Sequence, residues 1–175
     1  MSNNDYIYDR GFFAEDIAFE DYWRQLTVEQ IDEIISTFPG KQDFVDFYLA
    51  HNGGIFTENA LLYTDDFYEN PADYRLLEVD GFLHIPLPND EEGESFTYSI
   101  EKERKRRTGH SDKFDEFVSC HIPFANDAGD NTYWINIETG KVKFMEYEYM
   151  GYDADKAITV AHSFYDFCKR LRIWE

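Results

Sequence analysis

In FANDAGDNTYWINIETGKV, residues 124 to 142, four oxygen-bearing side chains crowd together: Asn126, Asp127, Asp130 and Asn131. Carboxylate and amide oxygens at that density are the donors a hard cation such as calcium takes. A calcium loop, however, needs ligands at alternating positions, a central glycine and a distant glutamate, and Asp127, Gly129, Asp130 and Asn131 do not reproduce that order. The same residue types also close turns, because their side chains accept hydrogen bonds from nearby backbone donors. A structural turn is the preferred reading, with Gly129 and Asp130 feeding a strand over residues 132–137. A functional role for Asp127 or Asp130 is the alternative.

Other chemistry finds little support. The histidines at 51, 84, 110, 121 and 162 form no HxH, HExxH or cysteine-paired pattern, so no metal is expected. There is no GxSxG elbow. His162 and Ser163 are chain neighbours at a helix start and point in different directions, so Ser163 reads as an N-cap. Cys168 falls on a helical apolar stripe and is expected to be buried and inert. With 36 acids, no carboxylate pair can be singled out as glycosidase-like, and no glycine-rich phosphate cradle occurs. No catalytic residue, cofactor or metal is therefore assigned. A hydrolase remains as an outside alternative that a single Asp or Glu substitution would expose.

The elements that would position these residues follow from periodicity. Thr27 and Gln30 form a capping-box pair ahead of Val28, Ile31, Ile34, Ile35 and Phe38, which predicts a helix stopped by Pro39-Gly40. A second helix is expected in QDFVDFYLAHNGG, with His51 in its last turn and Asn52, Gly53 and Gly54 as a structural exit. Residues 55–88 read as short strands and turns, and NDEEGE, residues 89–94, as an acidic loop. SFTYSIEKERKRR predicts a helix to about Arg107, whose cations read as a solvated face paired with acids rather than as a nucleic-acid patch. Val118, Cys120, Ile122 and Phe124 alternate, as do Tyr133, Ile135 and Ile137. Gly140 is suited to a hairpin turn into VKFMEYEY. AITVAHSFYDFCKRLRIW closes the chain as a helix, with Val160, Phe164, Phe167, Cys168 and Leu171 as its apolar stripe.

Length and composition agree with one α+β domain, residues 21–175, preceded by an arm over residues 1–20 that Phe12, Phe13 and Phe19 could pin. The expected sheet is central and antiparallel-rich, packed by N-terminal helices and a C-terminal helix. No apolar run suits a membrane span, and the start lacks the order of a secretion signal, so a cytoplasmic protein with reduced Cys120 and Cys168 is expected. The net charge is −20, of which residues 1–100 carry about −18 and residues 101–175 about −2. Such a field repels nucleic acid and anionic membrane and attracts basic partners. Solubility alone is the competing explanation.

LTVEQIDEIISTFPG, DFVDFYLAHNGGIF, IPFANDAGDNTYWINIETGKV and VAHSFYDFCKRL occur in an order that resembles the SUKH superfamily, over about Tyr22 to Leu171. That superfamily includes immunity proteins of bacterial polymorphic toxin systems and fungal cell-wall assembly regulators. Two departures stand out: a slimmer glycine turn at residues 126–131, and a charged stretch over residues 89–116 that does not align. The resemblance implies a domain that acts by binding, with a toxin, often a nuclease, as the usual bacterial partner. The expected function is thus neutralisation of a cognate toxin, with a basic nuclease as the fitting type. A regulatory scaffold or adaptor is the rival. Candidate partner contacts are Asp65, Asp66, Glu91, Glu92 and Glu94, with Tyr63, Phe67 and Tyr68 as aromatic anchors. For each aromatic, core filling is the competing role.

Overall fold

A computed structural model of the chain describes residues 12–14, 17–21, 24–64, 76–87 and 99–173. Helix α1 (Val28–Ile34) begins at its capping box: the Thr27 hydroxyl accepts from the Gln30 N–H, and the Gln30 amide oxygen accepts from the Thr27 N–H at 2.9 Å. Ile31, Ile35 and Phe38 are buried as the spacing predicts, whereas Val28 is exposed. The helix ends at Ile34, a turn earlier than Pro39-Gly40, and Ile35 and Phe38 reach the core from non-helical chain. Helix α2 (Lys41–Ala50) buries Phe44, Phe47 and Tyr48, and ends one residue before His51.

Eight strands form one sheet in chain order: β1 (Phe19–Glu20), β2 (Gly54–Tyr63), β3 (Leu76–Phe82), β4 (His121–Asn126), β5 (Thr132–Asn136), β6 (Val142–Met145) and β7 (Ile158–Ala161), with β8 (Leu171–Ile173) added to β2. Every named pairing is antiparallel. The expected α+β class with an antiparallel sheet is thus what the chain forms. The remaining helices are α3 (Ile100–Arg106), α4 (Asp112–Ser119), α5 (Tyr147–Met150) and α6 (Phe164–Arg170), with a 3₁₀ turn over Ala154–Lys156. No helix of the described residues is long and apolar enough to cross a membrane.

Residues alternate across a strand, so each strand feeds two layers. On one face, Leu62, Val79, Phe124, Tyr133 and Val142 join Ile31, Phe44, Phe47, Phe164 and Phe167 in the larger core. Phe12 lies in it too, edge-on to Phe47, and Phe19 packs against Phe47, Phe56 and Phe82. On the opposite face, Trp134 of β5 and Met145 of β6 meet Phe114, Phe117 and Val118 of α4 and Met150 of α5 in a smaller core.

Three segments depart from their sequence expectation. Val118 and Cys120 do not extend a strand: Val118 belongs to α4 and Cys120 caps it, because Ser111 accepts from the Phe114 N–H and the 114/117/118 spacing puts all three residues on one buried helical face. VKFMEYEY leaves the sheet after Met145, and Tyr147 starts α5. Val160 lies in β7 and Leu171 in β8, so the last helix spans only Phe164–Arg170, with Ser163 as its N-cap accepting from the Asp166 N–H. Val160 and Leu171 still enter the same core, from strands rather than from the helix.

Candidate partner-binding surface

The cluster at residues 126–131 is a turn folded on itself. Asp127 Oδ1 accepts from the backbone N–H of Gly129 at 2.9 Å and of Asn131 at 2.8 Å, while Oδ2 accepts from the Asn131 amide. Asn131 Oδ1 in turn accepts from the Tyr147 N–H. Asp130, not Gly129, takes the left-handed conformation, at φ 64°. Among the described residues no group of three or more His, Cys, Asp or Glu is placed to hold a metal.

This turn docks on α3 through a buried polar network. Glu103, 2% exposed, accepts from Arg107 Nε at 2.7 Å and from the Thr132 hydroxyl at 2.9 Å, and Arg106 reaches its other oxygen. Arg106 also pairs with the Asp130 carboxylate, and Arg107 donates to the Asp130 carbonyl at 2.8 Å and to the Tyr152 hydroxyl at 2.9 Å. The Arg107 guanidinium lies 3.7 Å over the Tyr147 ring, whose hydroxyl donates to Thr132 and accepts from Trp134 Nε1. Burial opposes the Arg107 charge, yet Tyr147 and Glu103 outweigh it and hold its pKa above the usual arginine value. The basic run does pair with acids, as the sequence suggests, but Glu103 and Arg107 are buried rather than solvated. The helical i,i+4 spacing brings them together, and each satisfies the charge the other could not bury alone.

The other structural turn residues also work inside the fold. The Asn52 side chain takes the place of a strand neighbour for Ile85, donating to its carbonyl at 2.8 Å and accepting from its N–H at 2.7 Å. Gly53, at φ 75°, passes so close to β3 that a Cβ would lie 2.9 Å from the Leu83 carbonyl oxygen. Gly54 opens β2, and Gly140 turns the β5–β6 hairpin at φ 75°. His51, placed by its spacing in the last turn of α2, is instead the buried cap beyond it, with Nδ1 against Asp21.

His121 is wedged between the Phe117 carbonyl, which meets Nδ1, and the Asn136 amide at Nε2, and burial lowers its pKa to about 4. Cys168 is buried, which drives its thiol pKa far up, as expected for an inert side chain. Cys120 is exposed and free.

Of the proposed partner contacts, Asp65, Asp66, Phe67, Tyr68, Glu91, Glu92 and Glu94 lie outside the described residues. Tyr63 is described and is 45% exposed, directly opposite Leu76, which is 49% exposed. Leu61, one step inward, pairs with Glu78 of β3 and Arg172 of β8. Leu61, Tyr63 and Leu76 belong to neither core. Their inward neighbours Leu62, Leu77 and Val79 fill the larger one, so the three project from the opposite sheet face. Leu76 and Leu61 escaped sequence reasoning because an apolar residue inside RLLEV or ALLY looks like core. Only the alternation, counted from a known register, reveals an apolar residue on the outer side.

Asp80, on the same strand face as Leu76 and Glu78, has its carboxyl pKa raised by partial burial and by the nearby Asp127 charge. Glu146 is raised in the same way by burial, Asp127 and Glu148. Three carboxylates from β3, the 127–131 turn and the β6–α5 junction thus share one electronegative region.

The family model of the SMI1 / KNR4 family (SUKH-1) matches residues 25–170 of the chain. No curated protein and no solved structure matches it. The matched span runs from just before α1 to the end of α6, and takes in the smaller core, most of the larger one, the Asn52 clasp and the Asp127 turn, so the chain belongs to the SMI1/KNR4 (SUKH-1) family.

Proposed function

We propose that this chain is an immunity-type protein that binds and neutralises a cognate toxin in the cytoplasm, and that a basic nuclease domain is the partner its chemistry fits best. Family membership supports action by binding. The observation that carries the choice of partner is the net charge of −20 together with five cations that are paired inside the chain. Lys41 pairs with Asp32, Arg106 and Arg107 with Glu103 and Asp130, Lys113 with Asp155, and Arg170 with Asp166. Those five cations are engaged within the chain, and acids outnumber cations by 36 to 16. A nuclease must present cations to phosphates, and an acidic protein can occupy that surface and speed the encounter. In this proposal Asp65, Asp66, Glu91, Glu92 and Glu94 steer the toxin, while Tyr63, Phe67 and Tyr68 supply contact area.

The test is capture of partners on the tagged chain from the source cells, at low salt and at about 1 M, where exposed charges are screened beyond ~3 Å. One stoichiometric partner with a basic toxin-like domain is the expected result. Several salt-sensitive partners of signalling or cell-wall type, and no toxin, would replace the proposal with a regulatory scaffold. Charge reversal at Glu91, Glu92 and Glu94 is expected to slow association and flatten its salt dependence, read by stopped-flow.

A further inference from the structure

The second face of the sheet is treated differently at its two ends. Over β5 and β6 it carries α4 and α5, which bury Trp134 and Met145. Over β8, β2 and β3 the same face carries Arg172, then the buried Leu61 and the exposed Tyr63, then Leu76, Glu78 and Asp80, with Tyr63 and Leu76 half exposed side by side. Cross-strand pairs of this kind, an aromatic opposite an aliphatic, are the contacts that stabilise a sheet when covered. Here the pair sits outside both cores.

We propose that the β8–β2–β3 face is the docking surface for the basic partner, which places an apolar side chain across Tyr63 and Leu76 and sets lysines or arginines over Glu78 and Asp80. This rests on the binding function proposed above and adds the place and the chemistry. Charge decides between occupants. A second copy would bring −20 against −20 and would have Arg172 as its cation on this face, already donating to the Lys169 and Leu171 carbonyls. A cationic protein answers Glu78 and Asp80 directly and relieves the repulsion between Asp80 and Asp127.

The experiment has two arms, both on the full chain. In the first, the photocrosslinker p-benzoylphenylalanine replaces Tyr63 in the source cells, with Tyr165, a half-exposed aromatic on α6, replaced in a control. In the second, the partner identified by crosslinking or capture is purified, and its affinity is measured for Tyr63→Ala, Leu76→Ser and the double variant, with circular dichroism melting as the check on folding. The expected result is an adduct between position 63 and a basic polypeptide, none from position 165, and a loss of ~10-fold in affinity for each single variant and more for the pair. Partner binding by the folded double variant at wild-type affinity would overturn the docking face and leave the proposed function standing. An adduct to a second copy, or to residues 65–75 or 88–98 of the same chain, would overturn it as well. Absence of any tight basic partner would overturn both. Because the two substitutions lie outside both cores, a lost affinity in a variant with an unchanged melting curve cannot be ascribed to unfolding.

Discussion

The two ends of the second sheet face teach opposite lessons about aromatic and charged residues. Over β5 and β6, Trp134, Tyr147 and Phe114 are covered, and Glu103 and Arg107 are buried in a network that bonds each of them several times. Over β2 and β3, Tyr63, Leu76 and Glu78 have the same chemistry without a layer on top among the described residues. Residue type therefore says little about role in this chain. What separates a structural aromatic from a candidate contact is whether a helix packs against that stretch of sheet.

The largest effects are expected at the covered end. Glu103→Ala leaves Arg107 buried without its carboxylate and is expected to cost ~3–5 kcal/mol in unfolding free energy. Glu78→Ala, on the open end, should stay within ~0.5 kcal/mol. Urea titration of the two variants measures the difference directly, and equal losses would break the comparison. Trp134→Ala should fall in the same high range, ~3–5 kcal/mol, through the cavity it opens beneath α4.

Next in size is a pH effect confined to the covered end. His121 stacks on Phe117 of α4 and is held neutral, with a pKa of about 4 against 6.5 in the unfolded chain. Between those values the unfolded state binds the proton and the folded state does not, so stability is full above pH 6.5 and is lost as pH falls toward 4. The contribution is on the order of 3 kcal/mol across the window. His121→Asn should flatten that part of the stability profile measured from pH 7 to pH 4. An unchanged slope would show that the imidazole is not desolvated by α4.

The smallest effect on stability is expected where the effect on binding should be largest. Tyr63→Ala and Leu76→Ser should each change the unfolding free energy by less than ~1 kcal/mol, because each side chain is already half in water. A loss as large as that of Trp134→Ala would mean that the open end is covered after all.

Local signals carried the parts of the fold that local physics decides. The Thr27–Gln30 capping box, the Ser163 cap, the positive φ at Gly140 and the inward use of the Asp127 turn were all legible. What was not legible depends on partners distant in sequence. Val118 and Cys120 alternate convincingly with Ile122, yet the Ser111 cap and the burial of Phe114 against Trp134 make Val118 helical and Cys120 the cap of that helix. Glu103 and Arg107 look like a solvated pair until Thr132 and Tyr152 arrive to bury them. Val160 and Leu171 share the apolar character of the last helix but lie in strands β7 and β8, which pair with β6 and β2. Tyr63 was named as a candidate contact from sequence and is half exposed, whereas the exposure of Leu76 beside it required the β2–β3 register to be known.

The most direct test of a chain that binds through its open sheet end is hydrogen exchange of the full protein, alone and saturated with its captured partner. Binding through this face slows exchange over residues 60–63, 76–80 and 171–173 and leaves α3, α4 and α5 unchanged. Protection confined to α3–α5, with β2 and β3 exchanging as in the free protein, would contradict it.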